Sequence, residues 1–275
     1  MTKLKIVGNS HVAAFKAALD GMAEQLVGTE VSYFAWSEGP GWSSPLRLGG
    51  GKCLAFGTPS RPASSKIEQF LLRVNGATKT NLADQDVVVL VGHYGARGAL
   101  PYLLADHDID GLREVGAPRR MSAAAFDRFI DALAEATLPP SEWWHWDGTT
   151  VYVLPAPLVA ETCRETQEAR FAVWRKLDRA PEGFSEALQI FNARITARCV
   201  EKGLIYVPQP EATITSDGLL TRAEFKTGAV MVGSGRAYAE TDHFHMNAEY
   251  AVLCLAPVLD GLLSGRSQRR SDVTM

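Results

Sequence analysis

The sequence predicts an α/β protein with five strands in a mostly parallel central sheet and helices on both faces. Short apolar runs alternate with amphipathic stretches along most of the chain, the pattern of successive strand and helix crossovers. One run, Val87-Val88-Val89-Leu90-Val91, is apolar at every position and therefore suits a central strand covered on both sides. Polar and histidine-bearing turns follow these runs, at the carboxyl ends where such sheets place ligands.

Residues 4–8 read as the first strand, and residues 11–26 carry Val12, Phe15, Ala18, Leu19, Met22 and Leu26 at helical spacing. A second strand over 31–35 leads into 37–65, a Gly- and Pro-rich region too long for an ordinary connection and so a candidate functional loop. Residues 86–91 make the third strand. A helix over 122–136 begins at Ser122, a good N-cap, and precedes a strand over 150–154 that stops at Pro155-Ala156-Pro157. Residues 184–202 read as a helix ended by Gly203, followed by a short strand over 204–207 and then Pro208 and Pro210. The last helix spans 247–263, with a kink expected at Pro257. Residues 264–275, polar and carrying Arg266, Arg269 and Arg270, hold too little apolar surface to fold alone and are expected to be a disordered tail. Residues 1–263 are expected to form a single domain, because 275 residues with 46% hydrophobic content favour one large core over two small ones.

The formal net charge of -3 argues against nucleic acid or an anionic membrane as a partner bound by bulk electrostatics. A small-molecule partner recognised locally is the remaining expectation. Cys53, Cys163, Cys199 and Cys254 are far apart and form no C-x-x-C pair, so reduced, mostly buried thiols are expected rather than a zinc knuckle or a redox motif. The N-terminus runs straight into a strand of about five residues, too short for a signal-peptide core, and no later apolar run reaches membrane-spanning length. A soluble, cytoplasmic protein without membrane insertion is expected.

Two segments carry the chemistry. Gly8-Asn9-Ser10-His11 lies at a strand-to-helix junction, and Asp242-His243-Phe244-His245 lies just before the last helix. A serine hydroxyl is a weak nucleophile at neutral pH and needs a base within hydrogen-bond reach, a task that suits imidazole. His245 is the candidate base. Asp242, three residues earlier, can meet the same imidazole within one tight turn and fix its tautomer. Amides at the start of the helix after Ser10, with a backbone N–H from a neighbouring loop, are candidates for stabilising an oxyanion.

In these segments the chain resembles the SGNH (GDSL-type) hydrolase family. Lys5-Ile6-Val7-Gly8-Asn9-Ser10 is similar to the family's first block, usually Gly-Asp-Ser, and residues 86–92 are similar to the strand before its third block. Asp242-His243-Phe244-His245-Met246-Asn247-Ala248-Glu249-Tyr250 resembles its Asp-x-x-His block with the Asn-Ala run behind it. The resemblance implies a flavodoxin-like three-layer α/β/α sandwich, hydrolysis or transfer of an ester acyl group, and Ser10 as nucleophile, His245 as base and Asp242 as orienter. Two departures stand out: Asn9 replaces the usual Asp, where it keeps a small side chain able to cap the following helix, and Gly92-His93-Tyr94-Gly95 replaces Gly-x-Asn-Asp. The oxyanion donor that the family draws from that Asn is therefore missing, and His93, Tyr94 or the Ser10 amide with a loop glycine, Gly41 by preference, must serve. Asn9, His11, Gly41, Gly92, His93 and Tyr94 are the expected oxyanion or substrate-binding residues, and no cofactor is implied.

Other readings of the same residues have less behind them. His243, His245 and Asp242, with His11 or His93, are metal-ligand types but form no dedicated motif. Gly49-Gly50-Gly51-Lys52 is followed by Cys53 and lacks the glycine spacing of a phosphate loop, and Val12 stands where a nucleophile elbow needs glycine. Trp36, Trp42, Trp143, Trp144 and Trp146 either stack on a sugar or pack loops onto the sheet. The expected activity is a serine esterase acting on a small ester, a carbohydrate ester first, with glycan acyl transfer and a non-catalytic glycan- or partner-binding module as rivals.

Overall fold

The structure, a computed structural model, describes residues 1–36, 46–49, 53–58, 61–62, 65–82, 84–93, 98–139 and 148–272. Strand β1 (Thr2–Gly8) leads through helix α1 (Val12–Gly21) to β2 (Thr29–Ala35). Three short strands follow, β3 (Leu46–Gly49), β4 (Cys53–Thr58) and β5 (Arg61–Pro62), then α2 (Ser65–Asn75), β6 (Lys79–Asn81) and β7 (Val87–His93). After α3 (Ala99–Asp106) come β8 (His107–Ile109) and β9 (Arg119–Met121), then α4 (Ala123–Thr137) and β10 (Thr150–Pro155). The chain closes with α5 (Ala172–Asp178), α6 (Phe184–Glu201), β11 (Leu204–Tyr206) and α7 (Ala248–Asp272).

The main sheet has the order β11-β10-β7-β1-β2 and every pairing in it is parallel. Renumbered as the first to fifth strands of this sheet, that is the 2-1-3-4-5 order of a flavodoxin-like, doubly wound sheet. Alternation within each strand builds two cores. Leu4, Ile6, Val87, Val89, Tyr152 and Leu154 face α1 and α7, whereas Val7, Val88, Leu90, Val151 and Val153 face α3, α4 and α6. The result is a three-layer α/β/α sandwich, the architecture expected from the apolar runs. Because successive residues of a strand point to opposite faces, a central strand in such a sandwich must be apolar at every position, as residues 87–91 are.

Several elements depart from expectation. The first helix ends at Gly21, and a 3₁₀ turn over Ala23–Leu26 replaces its last part. Within the stretch from 37 to 65, read as a loop, the chain makes an antiparallel sheet in which β4 pairs β3 and β6, with Leu54 fully buried in the core. Glycine- and proline-rich text hid β4, which forms short hairpins with β3 before it and β5 after it and takes a third, more distant partner in β6. Helix α7 runs to Asp272, past the expected end at Leu263 and through residues expected to be disordered. A helix already nucleated and packed over 250–262 extends at little cost through good helix formers such as arginine and glutamine. Pro257 sits inside it.

All four cysteines are free thiols, three of them buried. Among the described residues, no helix is long and apolar enough to cross a membrane.

Candidate active site

The strand order places a switch point between β1 and β7, the two strands from which successive crossovers run to opposite sides. Open α/β sheets bind ligands outside the carboxyl ends of their strands at that point. The chain there is forced into contact. A Cβ on Gly8 would lie 2.2 Å from the Val91 carbonyl oxygen, and one on Gly92, whose φ is +73°, would lie 2.2 Å from Asn9 Oδ1. Only glycine lets the two strand ends approach this closely.

Asn9 fills the gap. It is buried, its Nδ2 donates to the Gly92 carbonyl at 3.0 Å, and its Oδ1 accepts from the His11 amide at 3.1 Å. It does not cap α1 as expected from sequence; His11 stands at the N-cap, with no side-chain bond there. Asn9 instead closes an Asx-type turn and staples β1 to β7, a task that needs a donor and an acceptor on one small side chain. Ionised aspartate has no donor for the Gly92 carbonyl, which gives the amide at this position a physical reason.

This packing sets a prediction. Gly92→Ala is expected to destabilise the fold by on the order of 3 kcal/mol, from left-handed backbone strain plus the clash with Asn9. Gly76 is also left-handed, at φ +68°, but a Cβ there would meet nothing within 4 Å, so Gly76→Ala should cost only about 1 kcal/mol. Urea denaturation of both variants reads the difference; equal losses would mean that the Asn9 contact carries no weight.

The second segment is a turn built by its own carboxylate. Asp242 Oδ1 accepts the amides of Phe244 at 3.0 Å and His245 at 2.9 Å. The buried Met246 then anchors the chain in the core, and Asn247 stands just before α7. Asn247 Oδ1 accepts the Tyr250 amide at 3.1 Å, an N-cap bond, while its Nδ2 donates to the Glu224 and Thr227 carbonyls, both at 2.9 Å.

These two turns meet. Ser10 Oγ lies 2.7 Å from His245 Nε2, a contact spanning 235 positions. On the other side of the ring, His245 Nδ1 lies 2.9 Å from Asp242 Oδ2 and 3.1 Å from Oδ1. Tyr238 stacks on the same ring at 3.9 Å and 8° between planes, and the buried His11 stands against it at 4.9 Å. The imidazole is thus held at both nitrogens and flanked by two rings. Burial by itself would raise the Asp242 pKa, but the hydrogen bond and charge of His245 and the two amides outweigh it and hold the carboxyl at about 2. At neutral pH Asp242 is a carboxylate.

No family model matches this chain, and no curated protein does. Among solved structures, an extracellular lipase from Streptomyces rimosus aligns over 95% of this chain and 99% of its own, at 14% identity and a TM-score of 0.39. So remote a likeness does not speak to function.

The remaining expected site residues divide. Gly92 lines the junction as described, and the backbone of His93 ends β7 opposite Pro155. The side chain of His93, together with Gly41, Tyr94, Trp42, Trp143, Trp144 and Trp146, lies outside the described residues. Trp36 is buried in the core, packed rather than open to a sugar ring. The His11 amide is taken by Asn9 and is therefore not a free oxyanion donor. Among the described residues, no group of three or more His, Cys, Asp or Glu is placed to hold a metal ion.

Ser10 and His245 open onto a cleft of about 590 Å³. Its walls are Phe70 and Arg73 from α2 and side chains and backbone from the segment 231–238, Arg236 and Tyr238 among them. That segment forms a hairpin in which Val230 bridges Ala237 and the Met231 amide donates to the Arg236 carbonyl at 2.7 Å. Sequence reading overlooked Tyr238, Arg236 and Arg73. The glycines and serine at 228, 233, 234 and 235, just ahead of Asp242, were the available signal of a loop serving the site.

His243 is neither exposed nor in the cleft. It is 5% exposed, Nδ1 lies 2.7 Å from Thr162 Oγ1, and its ring meets Phe171 edge-on at 4.9 Å. Burial first, then the charge of Lys226, lowers its pKa, with Asp242 opposing. The folded form therefore binds this proton less readily than the unfolded chain, whose histidine titrates near about 6.5. Stability is expected to fall as pH drops below that value and on through the folded pKa. Denaturant titrations between pH 7 and 5 should show the decline in wild type and a shallower one in His243→Gln; identical slopes would remove His243 as its source.

Proposed function

We propose that this chain is a serine esterase of the SGNH type that removes a small acyl group from an ester through an acyl-serine intermediate. The observation that supports it most is the unbroken line from Ser10 Oγ through the His245 ring to Asp242, closed by contacts of 2.7 and 2.9 Å between the two chain ends. A serine, an imidazole and a carboxylate in this order are the working parts of a general-base nucleophile.

Each group has one task. Ser10 Oγ attacks the ester carbonyl carbon while its proton passes to His245 Nε2. The carbon–oxygen bond to the alcohol then breaks, and Nε2 returns the proton to the departing oxygen, leaving the acyl group on Ser10. A water molecule repeats the sequence: its proton goes to Nε2, its oxygen attacks the acyl carbon, and the carboxylic acid leaves as Ser10 recovers its proton. Asp242 keeps the Nδ1 proton in place, so that Nε2 faces Ser10 as an acceptor, and stabilises the imidazolium that forms twice per turnover. Tyr238, stacked on one face of the ring at 3.9 Å, favours that alignment. A cleft of about 590 Å³ is within the range that takes a small ligand.

A fluorophosphonate tests the reading without knowledge of the natural ester. It should add one phosphonyl group per chain, mapped by peptide mass to Ser10. An unlabelled protein would favour the binding-module rival, which needs no activated serine.

A further inference from the structure

We propose that the ester handled by Ser10 carries an anionic group, carboxylate or phosphate, bound between the guanidinium groups of Arg73 and Arg236. The inference rests on the esterase reading for the bond that is cut, but the anion site stands on its own geometry. Both arginines line the cleft onto which Ser10 and His245 open, and the described lining holds no aspartate or glutamate. Asp242 and Glu240 open instead onto the adjoining cavity, and Asp242 is already engaged by His245 and two amides. Among the described residues, neither arginine has an acidic partner; Arg73 lies over the Phe70 ring at 5.4 Å, and Arg236 meets Ser234 only through its amide.

Two separate elements bring them to the cleft. Arg73 sits in the last turn of α2 and Arg236 on the arm of the turn that also carries Tyr238, so the two reach the cleft from different elements. The hairpin tip is seated on α2 by Gly233, at φ +76°, where an added Cβ would lie 2.7 Å from Val74 Cγ2. Val74 adjoins Arg73 in sequence. The close approach that only glycine permits therefore fixes the hairpin beside the arginine. Guanidinium is charged at every working pH and presents paired donors that match carboxylate and phosphate oxygens. Two such groups in one cleft, with no acid to offset them, raise the local potential for an anion and draw it in. Phe70, Met231 and Val232 complete the wall with apolar surface for the rest of the substrate.

The test compares charged and neutral esters on the full-length chain. With the anion in the acyl group, 4-nitrophenyl hemisuccinate is set against 4-nitrophenyl acetate; with the anion in the alcohol, 4-acetoxybenzoate is set against its methyl ester. In at least one pair the wild-type kcat/KM should favour the anionic member by about tenfold or more, as expected for charge-assisted hydrogen bonds, and the favoured pair tells which half of the ester the arginines hold. Arg73→Gln and Arg236→Gln should each bring that ratio down towards one, chiefly through KM, and added salt should do the same. No anionic preference in either pair, or a preference that survives both substitutions, overturns the proposal. Calorimetric titrations of Ser10→Ala with 4-nitrophenyl hemisuccinate and with 4-acetoxybenzoate separate this site from the chemistry: binding of either that is lost when Arg73→Gln and Arg236→Gln are added supports the site even if no ester is cut, and absence of binding of both overturns it. Failure of wild type to turn over any of the four esters while still binding the anion would count against the esterase reading alone.

Discussion

Ser10→Ala is expected to lower ester hydrolysis by about ten-thousandfold or more while leaving the fold intact, because the chemical step loses its nucleophile and the residual rate comes from binding alone. The structural cost is small. The Ser10 side chain is half-buried and bonds to His245, whereas the turn around it is held by backbone bonds, Val12 N–H to the Asn9 carbonyl at 3.1 Å and Ala13 N–H to the Ser10 carbonyl at 3.3 Å. Those bonds do not involve the hydroxyl. Thermal or urea stability should therefore stay within roughly 0.5 kcal/mol of wild type. Initial rates on 4-nitrophenyl acetate, measured beside a stability curve, separate loss of chemistry from loss of structure. A Ser10→Ala protein that keeps a tenth of the wild-type rate would sink the proposed mechanism.

Asp242→Asn is the second large effect, with kcat expected to drop by about ten-thousandfold, the loss seen when an orienting carboxylate of this kind is made an amide. The reason is tautomeric. Asn keeps an oxygen to accept the Phe244 and His245 amides that Asp242 Oδ1 now receives, so the turn survives. Its NH₂, however, then points at His245 Nδ1 and requires that nitrogen to be an acceptor. The ring proton moves to Nε2, which faces Ser10 and can no longer take the hydroxyl proton. The fall should appear in kcat with little change in KM, since no substrate contact is altered. Because the Asp242 carboxyl lies at about 2, its own titration contributes no inflection to the pH–rate profile above about pH 4. An Asp242→Asn enzyme within tenfold of wild type would show that the imidazole is oriented by something else, with Tyr238 and His11 the remaining contacts on the ring.

Much of the architecture was legible because the sheet's physics writes itself into local text. A buried parallel strand must be apolar on both faces, so residues 87–91 announced β7, and proline or glycine punctuation marked where β10 and α6 end. Ser10, Asp242 and His245 could be singled out because each has a chemical type and a local frame: a hydroxyl after a strand, and a carboxylate three residues before an imidazole. The strands over 46–58 escaped notice because short antiparallel pieces joined by glycine carry weak periodicity and are stabilised by partners distant in sequence, here β6. The continuation of α7 past residue 263 escaped for a related reason, since composition measures only what a segment does alone.

Residue type and spacing by themselves determined the parallel α/β class and nominated the serine and the histidine turn, because those features follow from local periodicity and from chemistry carried on single side chains. Only the folded chain decided that Ser10 and His245 lie 2.7 Å apart, that Asn9 joins two strands instead of capping a helix, and that Arg73 and Arg236 share one cleft. Each of those facts is a meeting of segments from tens to more than two hundred positions apart. Such meetings are set by the strand order and by the close approaches at Gly8, Gly92 and Gly233, and neither quantity is a property of any one stretch of sequence.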